Sequence, residues 1–370
     1  MITTQTELHE LVERARRTDA VALDTEFIWE RTYYPRLGLI QLALSDEDCF
    51  LIDPIALQDL SNLGDLLADP QVVKIFHDAP QDLAILSRAT GSSPKNIFDT
   101  RLAAGFTGLT ATLSLCNLVK ILLDIDLKKT ETRTNWLKRP LAPEQIAYAL
   151  DDVRYLRAVR ILILSSIIGP EIKSWLQEEL QHLDDPATYT NNKDEERYLK
   201  IKDAGSLNPH GLSILRELAT WREKEARSLD RPRGHIVPDA VLLGIARKQL
   251  QDVNDIREGT SISARAADRY GEKMAAAVKL GLASQIPAEP PLSRGIKLTK
   301  KDQEALARLN HLIQLKGEVQ GIDPAIIGNG SEFKLLVKIL NKSCESKMLR
   351  QMEGWRKTFL KDFFRQAASR

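Results

Sequence analysis

Along residues 1–185 the apolar positions change period repeatedly, and each change predicts an element. Thr6 to Arg17 places apolar residues at helical spacing, which predicts an amphipathic helix. "AVALDTEF" (20–27), "LGLIQLAL" (37–44) and "DCFLID" (48–53) read as strands. Their short connections favour an antiparallel meander, because parallel neighbours need long crossovers. "VVKIFH" (72–77) predicts a fourth strand and "KNIFDT" (95–100) a short fifth. Between them, "APQDLAILSRAT" predicts a helix from Ala79 that stops at Gly91. A further helix opens near Pro143, with proline in its first turn, and is expected to run unbroken through "EQIAYALDDVRYLRAVRIL".

Beyond residue 185 the pattern is helical, with two interruptions. Residues 186–206, "PATYTNNKDEERYLKIKDAGS", are polar enough for a linker, and 287–297, "PAEPPLSRGIK", form a proline-rich one. They divide the chain into an α/β domain (1–185) and two small all-α domains (207–286 and 298–370). The two rear segments share a faint pattern, "DAVLLGI" against "DPAIIGN", each an acid opening a short apolar helix.

Charge sharpens the division. The overall balance of +1 conceals a net −9 over residues 1–185, +4 over 186–299 and +6 over 300–370. Solvated faces can produce such a split; so can an acidic metal-binding site followed by a basic, polyanion-binding rear half. Three widely spaced cysteines, Cys49, Cys116 and Cys344, make no CxxC pair and point to a reducing, cytoplasmic setting rather than a disulfide framework. The N-terminal residues lack the apolar core of a secretory signal, and the run near Ile161 is too short to span a bilayer, so no membrane partner is expected.

The first predicted strand carries an anomaly. Asp24 and Glu26 interrupt its apolar run, although acids are depleted from strands. Residues two apart in a strand share a face, so the carboxylates converge. Either this face meets water, or a divalent cation with its preference for oxygen ligands lies between them. Asp82 follows in the first turns of the helix after the fourth strand, with Asp78 as a rival. Asp152 sits mid-helix with Tyr148 one turn before it on the same face, and Asp151 is its rival.

Taken in order, "DTEF", "YYPRLGLIQLA", "FHDAPQDLAIL", "TNWLKRPL" and "YALDDVRYL" resemble the bacterial ribonuclease D family. These are DEDD 3′→5′ exonucleases whose third motif is Tyr-x-x-x-Asp. The resemblance covers nearly the whole chain, the rear segments being similar to helical HRDC modules. It implies an RNase H-like domain with a mixed five-stranded sheet, followed by two HRDC-like domains. It also implies metal ligation by Asp24, Glu26, Asp82 and Asp152, the third acid being the one directly before the leucine of "DL". Two Mg²⁺ or Mn²⁺ ions would serve phosphodiester hydrolysis without a protein nucleophile, and no Ser-His-Asp or Cys-His set competes.

Tyr148, as an ordinary phenol, is a better orienter of the attacking water than a general base at neutral pH. Substrate contacts are expected from Arg31, Tyr33, Tyr34 and Arg36 beside the first strand. Lys129, Arg133, Trp136 and Arg139, with Lys128 and Lys138, are further candidates in the loop before the third motif. His77, at the end of a strand beside Asp78, is a further candidate, with a structural role as the favoured reading. The implied activity is trimming of tRNA precursors and other small structured RNAs at their 3′ ends, releasing nucleoside 5′-monophosphates. The rival readings are a DNA exonuclease of the same superfamily and a non-catalytic nucleic-acid-binding protein on the same fold.

Overall fold

The computed structural model describes residues 1–128, 131, 134–190, 193–284, 297–341 and 348–368. The first helix, α1 (Gln5–Ala15), opens with a capping box: Thr4 Oγ1 accepts the Glu7 N–H, and the Glu7 carboxylate accepts the Thr4 N–H. It is followed by β1 (Ala20–Ile28), β2 (Arg36–Ala43), β3 (Cys49–Ile52), α2 (Ser61–Ala68), β4 (Val73–Phe76), α3 (Pro80–Thr90), β5 (Ile97–Asp99), α4 (Thr100–Ala104), α5 (Leu115–Leu123), α6 (Pro143–Arg154), α7 (Leu156–Ser166) and α8 (Pro170–Gln181). Gly91 ends α3 at φ 71°, a conformation open to glycine at no steric cost.

The strands form one mixed sheet in the order β3-β2-β1-β4-β5. β2 and β3 are antiparallel, with Ile40 opposite Ile52, whereas β4 runs parallel to β1 and β5 parallel to β4. Alternation along β1 divides its side chains between two cores. Val21 and Leu23 face the leucines of α1, α2 and α3, while Ala20 and Ala22 face α7 and α8. The same alternation carries Asp24 and Glu26 onto the α6–α7 side and Thr25 onto the α3 side. Because Ala22 pairs with Ile75, Asp24 lies level with His77, just past the carboxyl end of β4. Order reverses at β1, and such a switch point at the carboxyl ends of strands is where open α/β sheets leave a crevice.

The helix expected to run unbroken from Pro143 is two helices. Tyr155, at φ −99° and ψ −3°, separates α6 from α7.

Among the described residues, the α-helices in the middle of the chain are α9 (Pro209–Ser228), α10 (Arg233–Ile236), α11 (Asp239–Lys248), α12 (Val253–Gly259) and α13 (Ala264–Ala283). Those that close the described chain are α14 (Lys300–Gln320), α15 (Pro324–Ile327), α16 (Gly330–Leu340), α17 (Gly354–Phe359) and α18 (Lys361–Ala368). Compactness does not follow chain order. One unit comprises residues 1–28, 37–190 and 298–370; the other comprises 29–36 and 191–297.

Within the first unit, the final helices share the core under α7 and α8. Trp355 stacks on Trp175 at a ring separation of 5.6 Å. The buried Arg356 guanidinium donates to both Glu179 carboxylate oxygens at 2.6 and 2.7 Å. Asp323 accepts the Ala111 N–H on its carboxylate at 2.6 Å and donates its own N–H to the Gly105 carbonyl at 2.8 Å.

Within the second unit, residues 29–36 pack among the helices. The Tyr33 hydroxyl donates to Glu223, and the Tyr33 and Tyr34 amides donate to Asp230 at 3.0 and 3.1 Å. Trp221 meets Tyr270 edge to face at 5.7 Å and belongs to the same helical core.

Candidate active site

Asp24, Glu26 and Asp152 each place a carboxylate oxygen within 4.8 Å of the others. Two come from the same face of β1 and one from α6, which crosses that face. They line a cleft of about 500 Å³ together with Thr25, His77, Asp82 and Tyr148. Asp82, in the first turn of α3, is buried, and Thr25 Oγ1 donates to its carboxylate. Thr25 can reach α3 because it points to the opposite face of β1 from Asp24 and Glu26. Its hydroxyl is a site element that the strand pattern gave no reason to single out.

The electrostatics are those of like charges crowded together in a buried cleft. Burial, followed by the neighbouring Asp82, Asp152 and Glu26 charges, raises Asp24 well above the ordinary carboxyl range. Burial, with Asp152 and Asp82 adding, pushes Glu26 up to about 9. Asp82 and Asp152 are each pushed up to about 7, again chiefly by burial; the Thr25 hydroxyl opposes the shift at Asp82, and the Tyr148 hydroxyl opposes it at Asp152. Like charges brought together out of water favour protonation or a bound cation. A set made only of carboxylate oxygens suits hard divalent ions such as Mg²⁺ or Mn²⁺, so the residues present fit such ions.

The rival acids are engaged elsewhere. Asp78, at φ 69°, pairs with Arg101, and Asp151 pairs with Arg154 at 3.3 Å. Tyr148 is half-buried, and its hydroxyl hydrogen-bonds Asp152 one turn on. Burial and the surrounding acids raise its phenol further, so it remains a proton donor.

Several residues expected to grip substrate instead build the protein. Trp136 is buried behind Tyr148, with ring centroids 6.3 Å apart. Gly38 admits it, since a side chain there would meet Trp136 at 2.7–2.8 Å. Arg139 is fully committed: Nε and Nη2 bind both oxygens of Asp53 at 2.6 and 2.7 Å, while Nη1 and Nη2 donate to the Trp136 and Gly38 carbonyls at 2.9 and 2.7 Å. Such a fork carries shape rather than spare binding capacity.

Tyr33 is likewise not free to stack on a base. Its ring is buried, its hydroxyl is bound to Glu223, and the Arg227 and Arg233 guanidiniums lie 5.6 and 5.0 Å from its centroid. Tyr34 packs edge to face on Tyr33 at 4.7 Å. His77 lines the cleft, but both ring nitrogens are occupied, Nδ1 with Thr100 Oγ1 at 2.9 Å and Nε2 with the Leu113 carbonyl at 3.1 Å. Burial holds its pKa below the ordinary imidazole value. Arg31, Arg36, Lys128 and Lys138 are exposed. Lys129 and Arg133 lie outside the described residues.

Comparison with known proteins places this geometry in context. The 3′-5′ exonuclease family matches residues 1–167, and the HRDC domain family matches residues 211–278. A protein of Desulfotalea psychrophila named Ribonuclease D is 52% identical over 98% of this chain and 97% of its own length. One of Bartonella henselae with the same name is 34% identical over 96% of this chain and 86% of its own. Among solved structures, that of Escherichia coli RNase D, described as an exoribonuclease involved in structured RNA processing, covers 100% of this chain. It aligns over 98% of its own length with a TM-score of 0.85 at 27% identity. No helix among the described residues is long and apolar enough to cross a membrane.

Proposed function

The chain belongs to the ribonuclease D family and is a 3′→5′ exoribonuclease, and on that premise we propose that it trims the 3′ ends of tRNA precursors and other small structured RNAs, releasing nucleoside 5′-monophosphates. The observation that carries this reading is the convergence of Asp24, Glu26 and Asp152 within 4.8 Å in a cleft that also holds Asp82. Escherichia coli RNase D, with its part in structured RNA processing, supports the substrate class.

In this reading Asp24, Glu26, Asp82 and Asp152 hold two divalent ions, Mg²⁺ or Mn²⁺. Such ions, when bound, activate water and offset charge on the phosphate and the departing 3′ oxygen. The remaining work belongs to the chain's own groups. Thr25 fixes the Asp82 carboxylate by donating to it. Tyr148 holds Asp152 through its hydroxyl and, as a phenol protonated at neutral pH, can orient water or a phosphate oxygen as a donor. Trp136 backs Tyr148, and the Arg139–Asp53 fork fixes the segment that carries Trp136. These contacts limit how far Tyr148 can drift, which matters because small misplacements of an orienting group reduce rate steeply.

The test is a 3′-extended tRNA precursor labelled at its 5′ end, incubated with Mg²⁺ or Mn²⁺ and separately with EDTA. The expected result is stepwise shortening from the 3′ end with mononucleotide release, abolished by EDTA. Shortening that persists in EDTA would refute the metal assignment. A precursor left intact while unstructured RNA is degraded would refute the substrate assignment.

A further inference from the structure

A second pocket lies away from the acidic cleft in the same compact unit. It opens at the amino ends of β4 and β5 and is closed by α7 and α8, with a volume of about 580 Å³. That is within the range of small-molecule sites. Val73, which opens β4 at this pocket, and His77, just past its carboxyl end at the cleft, are four residues apart, a separation of roughly 13 Å at strand rise. The two sites are therefore distinct.

The pocket's charge runs against its surroundings. Residues 1–185 carry a net −9, yet Lys95, Arg160 and Lys173 line this pocket against a single acid, Asp184. None of the three cations is neutralised by an acid of its own. Arg160 is held over the Phe98 ring, 5.5 Å from its centroid, and its buried Nε has no hydrogen-bond partner. Its acidic contact, Asp19, is 3.9 Å away and is already held by Arg157 at 2.9 Å. Lys95 Nζ donates to the Asp184 carbonyl at 2.7 Å, leaving two N–H groups. The Asp184 carboxylate accepts the Ile97 N–H at 3.3 Å. Lys173 is exposed and has no ion pair among the described residues.

The remaining walls are of two kinds. Leu164, Leu176 and Leu180 supply an apolar surface, and Gln177 and Gln181 supply amides that can both donate and accept. A cationic pair beside an apolar wall with amides at its rim suits a ligand that is anionic at one end and flat and heteroaromatic at the other. Inorganic anions would use only the cations, whereas a nucleotide base can also lie on the leucine wall and exchange hydrogen bonds with the amides at the rim.

We propose that this pocket is a second, non-catalytic site for a nucleoside 5′-monophosphate, with its phosphate on Arg160 and Lys173 and its base against the leucine wall. The ligand's identity as a product of the chain's own reaction rests on the function proposed above; its binding here does not.

Calorimetric titration of the full-length protein with AMP in EDTA tests this without metal or turnover. AMP should bind one-to-one, and Asp24→Asn should leave its affinity unchanged. Lys173→Gln and Arg160→Gln should each weaken it tenfold or more. Lys173 is exposed, so its variant retains the test even where Arg160→Gln impairs folding. Absence of AMP binding at millimolar concentration would overturn the proposal, as would affinity that neither substitution alters. Inorganic phosphate binding as tightly as AMP would reduce the pocket to a bare anion site and overturn the nucleotide assignment. An oligoribonucleotide blocked by a 3′ phosphate should displace AMP no better than AMP itself; much tighter displacement would assign the pocket to the polymer instead.

Discussion

Replacing Glu26 by glutamine should make the metal-free protein more stable while destroying its activity. The carboxyl is moved from 4.5 in the ordinary state to about 9 in the folded chain, first by burial and then by Asp152 and Asp82. Between those values the folded state holds a proton that the unfolded state has released. Stability of the metal-free protein must therefore fall as pH rises from about 4.5 to about 9. At pH 7 the interval crossed is about 2.5 units, or roughly 3 kcal/mol at about 1.4 kcal/mol per unit. Glutamine keeps the shape and carries no charge, so it escapes most of that cost. For the compact unit that carries the site, roughly 2–4 °C per kcal/mol implies a gain on the order of 6–12 °C in Tm.

The assay is thermal unfolding in EDTA at several pH values between 5 and 8.5, repeated with Mn²⁺. The variant's advantage should be small at pH 5, widen as pH rises, and shrink or reverse with Mn²⁺, because an ion that binds only the folded wild type stabilises it by mass action. A variant no more stable than wild type at pH 8 in EDTA, or an advantage independent of pH, would refute the picture of four acids crowded together without a counter-charge.

Asp152→Asn should abolish turnover, whereas Asp151→Asn should stay near wild type, since Asp151 is paired with Arg154; single-turnover assays with Mn²⁺ would separate them, and the reverse order would shift the ligand by one residue. Tyr148→Phe removes a hydroxyl that steadies Asp152, and should lower kcat by about 10–100-fold, in the range of outer-shell losses at metal sites, with KM little changed; a rise in KM alone would make Tyr148 a substrate-binding group. RNA ending in a 3′ phosphate should resist degradation, and a circular RNA should remain intact under the same conditions; rapid cleavage of the circle on a gel would contradict exonucleolytic action. Arg356→Ala removes a buried guanidinium and leaves the half-buried Glu179 with only the Trp355 indole N–H, and should destabilise the exonuclease unit by about 3 kcal/mol; urea denaturation with an unshifted midpoint would disprove that contribution.

The strands were legible because alternation and apolar runs are local signals, and the convergence of Asp24 with Glu26 follows from the two-residue period of a strand. Choosing Asp82 over Asp78 and Asp152 over Asp151 required the motif context. In the structure the choice corresponds to Arg101 and Arg154, which occupy the two rivals. Tyr33, Trp136 and Arg139 looked like an RNA grip because aromatic and cationic residues near a catalytic strand are ambiguous in isolation. What decides them is distant in the chain: Glu223 is 190 residues from Tyr33, and Asp53 is 86 from Arg139. The break at Tyr155 carries no proline or glycine to announce it, and Thr25 was hidden because its partner is 57 residues away. Linker composition suggested a separate final domain, yet Trp355 and Arg356 complete a core begun by Trp175 and Glu179.

That last feature bears on the order in which the parts of the core become available during synthesis. The four acids all lie within the first 152 residues, and an N-terminal domain generally folds as it leaves the ribosome. Here the unit that carries the acids is closed by residues 298–370. A nascent chain extended only to residue 297 has the entire acidic cleft in sequence but lacks the tryptophan, phenylalanines and arginine that cover Trp175, Phe106 and Glu179. Its nuclease core is still open to solvent along α8. Completion of the core under α7 and α8 therefore waits for the final stretch of translation, long after every acid of the cleft has been made.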